Sequence, residues 1–171
     1  GMAPLHDAAQ EGRVSEVVAL LAGGADVDAA TDSFSRWPAL NFAIYRDHAD
    51  VVRVLVDAGA DVDKMDQEGW TPLYLAARHE DAAVLKMLLA AGADPNIGQS
   101  PYSRALYAGH KSVLALLLQH GAAIVTTNYL GDIGRYDFNA SAWRFHDLVV
   151  EAGGYDAFKK IHRRLYASLL P

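Results

Sequence analysis

The chain has 171 residues, a formal net charge of −6 and no cysteine, and 51% of it is hydrophobic. That balance fits one ordinary domain or a short array of repeats. It excludes a disordered chain, a disulfide framework and any thiolate chemistry. No apolar run reaches the roughly 18 residues that a membrane-crossing helix needs. Residues 1–7 lack the basic and apolar regions of a secretion signal, and Gly1 ahead of Met2 reads as a cleavage scar. Residues 1–132 carry nine Lys and Arg against seventeen Asp and Glu, whereas residues 133–171 carry six against four. An acidic body of this kind repels polyphosphates. It serves solubility, or alternatively favours a basic protein partner.

The predicted elements recur in a fixed order along the chain. A short helix around Ala8 and Ala9 is followed by an aliphatic one, Val17 to Leu21, that stops at Gly24. The same order returns at Ala43, Val51 to Val56 and Gly59, then at Ala76, Val84 to Leu89 and Gly92. A fourth copy runs through Ala105, Val113 to Leu118 and Gly121. Each glycine lies 16 residues after its alanine, and successive glycines are 35, 33 and 29 residues apart. A unit of about 33 residues is therefore repeated, with length changes between copies. Thr71-Pro72 and Ser100-Pro101 read as helix caps followed by proline at the first helical position. Ser15, Asp50, Asp81 and Ser112 suit the positive starts of the second helices. The four glycines suit left-handed helix ends.

The third unit, from Asp66-Gln-Glu-Gly-Trp-Thr-Pro-Leu-Tyr-Leu-Ala-Ala77 to Leu88-Leu-Ala-Ala-Gly-Ala-Asp94, resembles an ankyrin repeat almost letter for letter. Ala3-Pro-Leu-His-Asp-Ala-Ala9 resembles that family's opening motif. The resemblance covers roughly residues 3–132. It implies an all-α solenoid of helix-turn-helix units joined by short β-hairpin fingers, with a concave face that binds proteins. The expected units are 3–33, 34–66, 67–97 and 98–132, which together make an array over 1–132. The family's motif histidine is kept only at His6; Asn41, Tyr74 and Ser103 replace it. The finger before Trp37 is two residues longer than usual, and the one around Asn96 to Ser100 is four shorter, too short for a full hairpin. By resemblance, Asn96 holds a finger position that is hydroxylated in some members; its shortened finger argues against that here.

After Ile124 the pattern fades. Residues 129–136 read as an irregular loop, 141–151 as a helix and 155–170 as a second helix, with Ala152-Gly153-Gly154 echoing the repeat's stop. An open solenoid end has to be covered, so 133–171 is read as a degenerate fifth unit with a capping helix. Lys159 to Arg164 is read as the solvated end of that helix, and Asn139-Ala-Ser141 as a capping sequence in preference to a glycosylation site.

No histidine pair has metal-binding spacing, and His48 and His110 sit at inter-helix turns. Nucleophile-elbow, phosphate-loop and dinucleotide motifs are absent, so neither catalysis, a cofactor nor a metal is expected. The informative residues are aromatic. The repeat offset places Trp37 and Trp70 at one equivalent finger site. It places Tyr45, Arg78 and Tyr107 at the end of the first helix, with Arg46 and His79 beside them. Finger packing accounts for some tryptophan there, but these residue types in parallel rows fit a binding face. The expected function is protein binding on the concave face by a cytoplasmic or nuclear chain, monomeric on its own, that contacts neither nucleic acid nor membrane. The alternative is a segment of a larger protein whose face packs on that protein's other domains.

Overall fold

The computed structural model describes residues 3–32, 36–80, 82–124 and 140–161, with side chains in the last stretch from 146 to 160. Among them are ten helices. Four pairs come first: α1 (Pro4–Gln10) with α2 (Val14–Ala22), α3 (Ala39–Tyr45) with α4 (Ala49–Asp57), α5 (Pro72–Ala76) with α6 (Ala83–Ala90), and α7 (Pro101–Ala108) with α8 (Lys111–Gln119). A further pair, α9 (Ala140–Glu151) and α10 (Tyr155–Ile161), follows. The first helices α1, α3, α5 and α7 pack in sequence as one layer. The row α2, α4 and α6 forms a second layer behind them, and α9 packs on both α7 and α8.

Alanine makes the first layer possible. Ala8, Ala9, Ala43, Ala76, Ala77 and Ala105 are all buried where one first helix meets the next. Leu55, Leu88, Leu114 and Leu117 fill the space between layers. Each large aliphatic so buried contributes roughly 1.5–3 kcal/mol.

The second helices end alike. Gly24, Gly59, Gly92 and Gly121 all have φ between 82° and 93°. In each case the glycine N–H and the one after it turn back onto helix carbonyls, as in Gly59 to Val56 and Ala60 to Leu55, both at 3.0 Å. Nothing lies within 4 Å of a Cβ added at these glycines, so left-handed backbone rather than crowding selects glycine. Gly153 (φ 82°) closes α9 in the same way, its N–H and that of Gly154 bonding to Val150 and Val149. Both expected caps form: Thr71 Oγ1 accepts from the Tyr74 N–H at 3.1 Å and Ser100 Oγ from the Ser103 N–H at 3.2 Å. Ser15, Asp50 and Ser112 stand inside the first turns of α2, α4 and α8, which have no side-chain cap.

The fingers contain no strand among the described residues. Two are closed by a backbone pair, Thr31 N–H to Trp37 O and Asp66 N–H to Trp70 O, each 3.1 Å. A side-chain ladder ties each finger to the next. Asp28 Oδ1 accepts from the Asp61 N–H at 3.0 Å, Asp63 Oδ1 from the Asp94 N–H at 2.9 Å, and Asn96 Oδ1 from the Ala123 N–H at 2.8 Å. Asn96 also donates to the Gly121 carbonyl at 3.0 Å, so the short finger keeps the ladder's register.

Behind α7 and α8, the Tyr102 hydroxyl meets His146 Nδ1 at 2.7 Å and the Tyr155 hydroxyl donates to the Ala115 carbonyl at 3.1 Å. Val149 and Phe158 are fully buried. Burial lowers the His146 pKa and raises that of the Tyr102 phenol, so the ring is held neutral and the hydroxyl protonated. Residues 125–139 and 162–171, including the expected loop, Asn139 and the second half of the basic run, lie outside the described residues, as do Asp81 and 33–35. No described helix is long and apolar enough to cross a membrane.

Candidate functional site

Trp37 and Trp70 each stand one residue ahead of a first helix's cap, Pro38 for α3 and Thr71 for α5. An apolar residue there commonly packs on the helix's first turn. Trp37 does so edge-to-face on Phe42, with ring centroids 5.3 Å apart, and Trp70 stacks on Tyr74 at 5.5 Å. Both tryptophans remain half-buried. The Trp37 Nε1–H donates to Asp66 Oδ2 at 2.7 Å. Asp66 Oδ1 accepts from the Glu68 and Trp70 N–H groups, each at 2.9 Å, so one buried carboxylate sets the finger before α5 and orients the indole of the finger before α3.

The end of the first helix supplies the second row. Tyr45 lies 5.3 Å from Trp37, and the Arg78 guanidinium of the next repeat sits 4.3 Å above the Tyr45 ring. One repeat further, the Arg104 guanidinium stands 5.9 Å over Tyr74. Such cation–π contacts are worth about 0.5–1 kcal/mol at open sites. Trp37, Tyr45, Trp70, Tyr74, Arg78 and Arg104, with Leu75 at the floor, line one open groove of about 330 Å³. Neither arginine makes an ion pair among the described residues, where the ion pairs are Arg13 with Asp7 and Glu16, and Lys159 with Asp156.

Of the seven expected site residues, the groove brings together Trp37, Tyr45, Trp70 and Arg78. Arg46 caps the end of α3 and Tyr107 stands near the end of α7; both are exposed but outside the groove's lining. His79 is half-buried against the second repeat, with Nε2 enclosed and unpaired. Its burial lowers its pKa, against the pull of Asp47, and Arg78 and His110 act in the same direction as burial. His48 bridges repeats, with Nε2 3.0 Å from the Gln10 carbonyl.

Sequence reasoning missed Tyr74 and Arg104. Tyr74 reads as a substitute for the motif histidine, although its place four residues after Trp70 puts both at one helix start. Arg104 is the one-repeat equivalent of Leu75, and that shift from apolar to cationic was the available signal. No group of three or more His, Asp or Glu among the described residues is placed to hold a metal ion.

The family described as ankyrin repeats (3 copies) matches residues 5–99. Inversin of Gallus gallus is 36% identical over 74 residues, which are 43% of this chain and 7% of that protein. The ankyrin repeat and KH domain-containing protein mask-1 of Caenorhabditis elegans is 33% identical over 122 residues, 69% of this chain and 5% of that protein. Ankyrin repeat domain-containing protein 40 of Homo sapiens is 34% identical over 74 residues, 43% of this chain and 20% of that protein. The chain thus spans a fifth or less of the length of the curated relatives it matches.

Proposed function

The chain belongs to the ankyrin-repeat family, and from that premise we propose that it is a non-catalytic module that binds a partner protein on its concave face, in the groove between Trp37 and Trp70. Ankyrin repeats are in general protein–protein interaction modules, and the family is typically non-catalytic. One observation carries the reading: four residues from equivalent positions of two repeats, Trp37, Tyr45, Trp70 and Arg78, line a single open groove. Aromatic rings and arginine are the side chains that dominate interface energies, because they cover large areas with few rotating bonds. Here the rings are already fixed by stacking and by Asp66, so little ordering entropy remains to be lost on binding. Arg46, His79 and Tyr107 extend the same face at its edges.

The test is affinity capture with the wild type, Trp70→Ala and Lys86→Ala, followed by titration of the captured protein. Removing a central anchor costs about 2 kcal/mol or more, roughly 30-fold in Kd. Lys86 is exposed on α6, on the other layer, and its loss leaves binding within about twofold. Equal weakening by both variants, or by neither, overturns the assignment.

A second reading has the groove packing on another domain of the same polypeptide. The small share of each relative that this chain matches favours considering it. Capture in cis predicts that the isolated chain binds that domain when it is supplied separately, with the same dependence on Trp70.

A further inference from the structure

We infer that the groove reads carboxylates: it takes an extended segment of a partner protein bearing two acidic side chains about three residues apart, with an apolar side chain between them. The inference rests on the reading of this groove as the partner site and specifies its chemistry.

The arginines carry the argument. The Arg78 guanidinium stands 4.3 Å from the centre of the Tyr45 ring and that of Arg104 5.9 Å from the centre of the Tyr74 ring, each guanidinium being within cation–π range of an aromatic face. Its N–H groups form a rigid planar fork that matches a carboxylate two bonds at a time. The chain has 21 acidic residues against 15 Lys and Arg, yet among the described residues no carboxylate lines the groove. Asp66, the carboxylate bonded to Trp37, is buried and committed to three N–H groups. Two positive groups with no ion-pair partner among the described residues, set in a body of net charge −6, make a local reversal of sign. At physiological ionic strength charges more than about 8 Å away are screened, so the groove rather than the acidic body governs a short peptide seated in it.

Spacing selects the ligand. Arg78 follows α5 and Arg104 lies on α7, adjacent helices of the first layer. Packed helices stand about 8–10 Å apart, and a polyproline-II segment advances about 3.1 Å per residue with every third side chain on the same face, which puts two charges three residues apart against both arginines. A single phosphate engages both forks only where they converge on one point, and here they stand over different rings, Tyr45 and Tyr74, of successive repeats. Trp70 and Leu75 form the apolar floor. The Trp37 indole N–H is taken by Asp66, whereas that of Trp70 has no acceptor among the described residues and is available to a peptide carbonyl.

The experiment titrates the full chain against fluorescein-labelled peptides with blocked ends. One set carries Glu-Leu-Glu, Glu-Pro-Leu-Glu or Glu-Pro-Leu-Gly-Glu between glycine flanks. Matched sets replace both Glu by Gln or by Lys, and one peptide carries a single phosphoserine. The Glu-Pro-Leu-Glu peptide is expected to bind at least tenfold more tightly than its Gln counterpart, and the Lys peptide not measurably. Arg78→Gln and Arg104→Gln, each checked for an unchanged melting temperature, are each expected to remove about half of that acidic preference on the logarithmic scale, and the double variant to bind the acidic and Gln peptides alike. Equal binding of Gln or Lys peptides, tighter binding of the phosphopeptide, or no binding by any acidic peptide overturns the inference. Where acidic preference fails but a captured partner still depends on Trp70, the binding face stands and only its carboxylate chemistry falls. Where Trp70→Ala leaves acidic-peptide binding intact, the groove assignment falls as well.

Discussion

Asp66 offers the sharpest test of how the groove is held. Its Oδ2 accepts from the Trp37 indole at 2.7 Å, and its Oδ1 from the Glu68 and Trp70 N–H groups at 2.9 Å each. Hydrogen bonds to a charged group contribute about 1.5–3 kcal/mol when buried. Glu68 is exposed and Trp70 half-buried, so water replaces most of what their two N–H groups lose; about 0.5–1 kcal/mol each is the reasonable share. The indole of Trp37 is packed against the core and loses about 1.5 kcal/mol. Asp66→Ala therefore costs about 3 kcal/mol. That corresponds to roughly 6–12 °C in Tm for a chain of this size. Asp66→Asn is the discriminating variant. Its carbonyl keeps the two finger bonds, but its NH₂ meets the indole N–H donor to donor, so about half the loss is expected. Urea denaturation followed by circular dichroism gives the stability, and tryptophan fluorescence reports the indole. Asp66→Asn as costly as Asp66→Ala, or neither variant costing more than about 0.5 kcal/mol, refutes the assignment of a distinct bond between fingers.

Acid should weaken the fold through its buried histidines. The folded-state pKa values of His79 and His146 lie below the usual value near 6.5 because burial disfavours the charged ring. The unfolded chain then binds more protons, so stability is full above about pH 6.5 and falls as pH drops from there toward the folded values. Tm measured at pH 7.5, 6.5 and 5.5 should decline, and His146→Gln should decline less; identical slopes contradict the role given to the Tyr102–His146 contact. Removing residues from Tyr155 onward strips away the buried Tyr155 and Phe158. At roughly 1.5–3 kcal/mol per large side chain the loss is about 3–6 kcal/mol, and a truncated chain that melts like the full one contradicts the capping role of α10.

Much of the scaffold was legible because it depends on backbone geometry that few residues satisfy. Glycine at a left-handed helix end, alanine where helices touch and Thr71-Pro72 at a helix start are local requirements, and they recur with the repeat. The groove was legible only in part. Trp37, Tyr45, Trp70 and Arg78 fall in register, and stacking the repeats brings them together. Tyr74 and Arg104 join through contacts between repeats that are not in register with one another: Arg104 covers Tyr74, whereas Arg78 covers Tyr45. Asp66 reads along the sequence as an ordinary turn carboxylate. Its bond to an indole 29 residues earlier exists only because neighbouring fingers stack. The same holds for Asn96, which looks stranded in a shortened finger and instead completes the ladder.

The central claim, that a partner seats between Trp37 and Trp70, is tested most directly by site-specific photo-crosslinking. A benzophenone amino acid is placed at Tyr45 and Tyr74 in the groove, and at Arg53 and Lys86 on the exposed second helices. The chain is then irradiated with the protein captured by the wild type. Crosslinks from positions 45 and 74 and none from 53 and 86 are the predicted result; crosslinks confined to 53 and 86 contradict it.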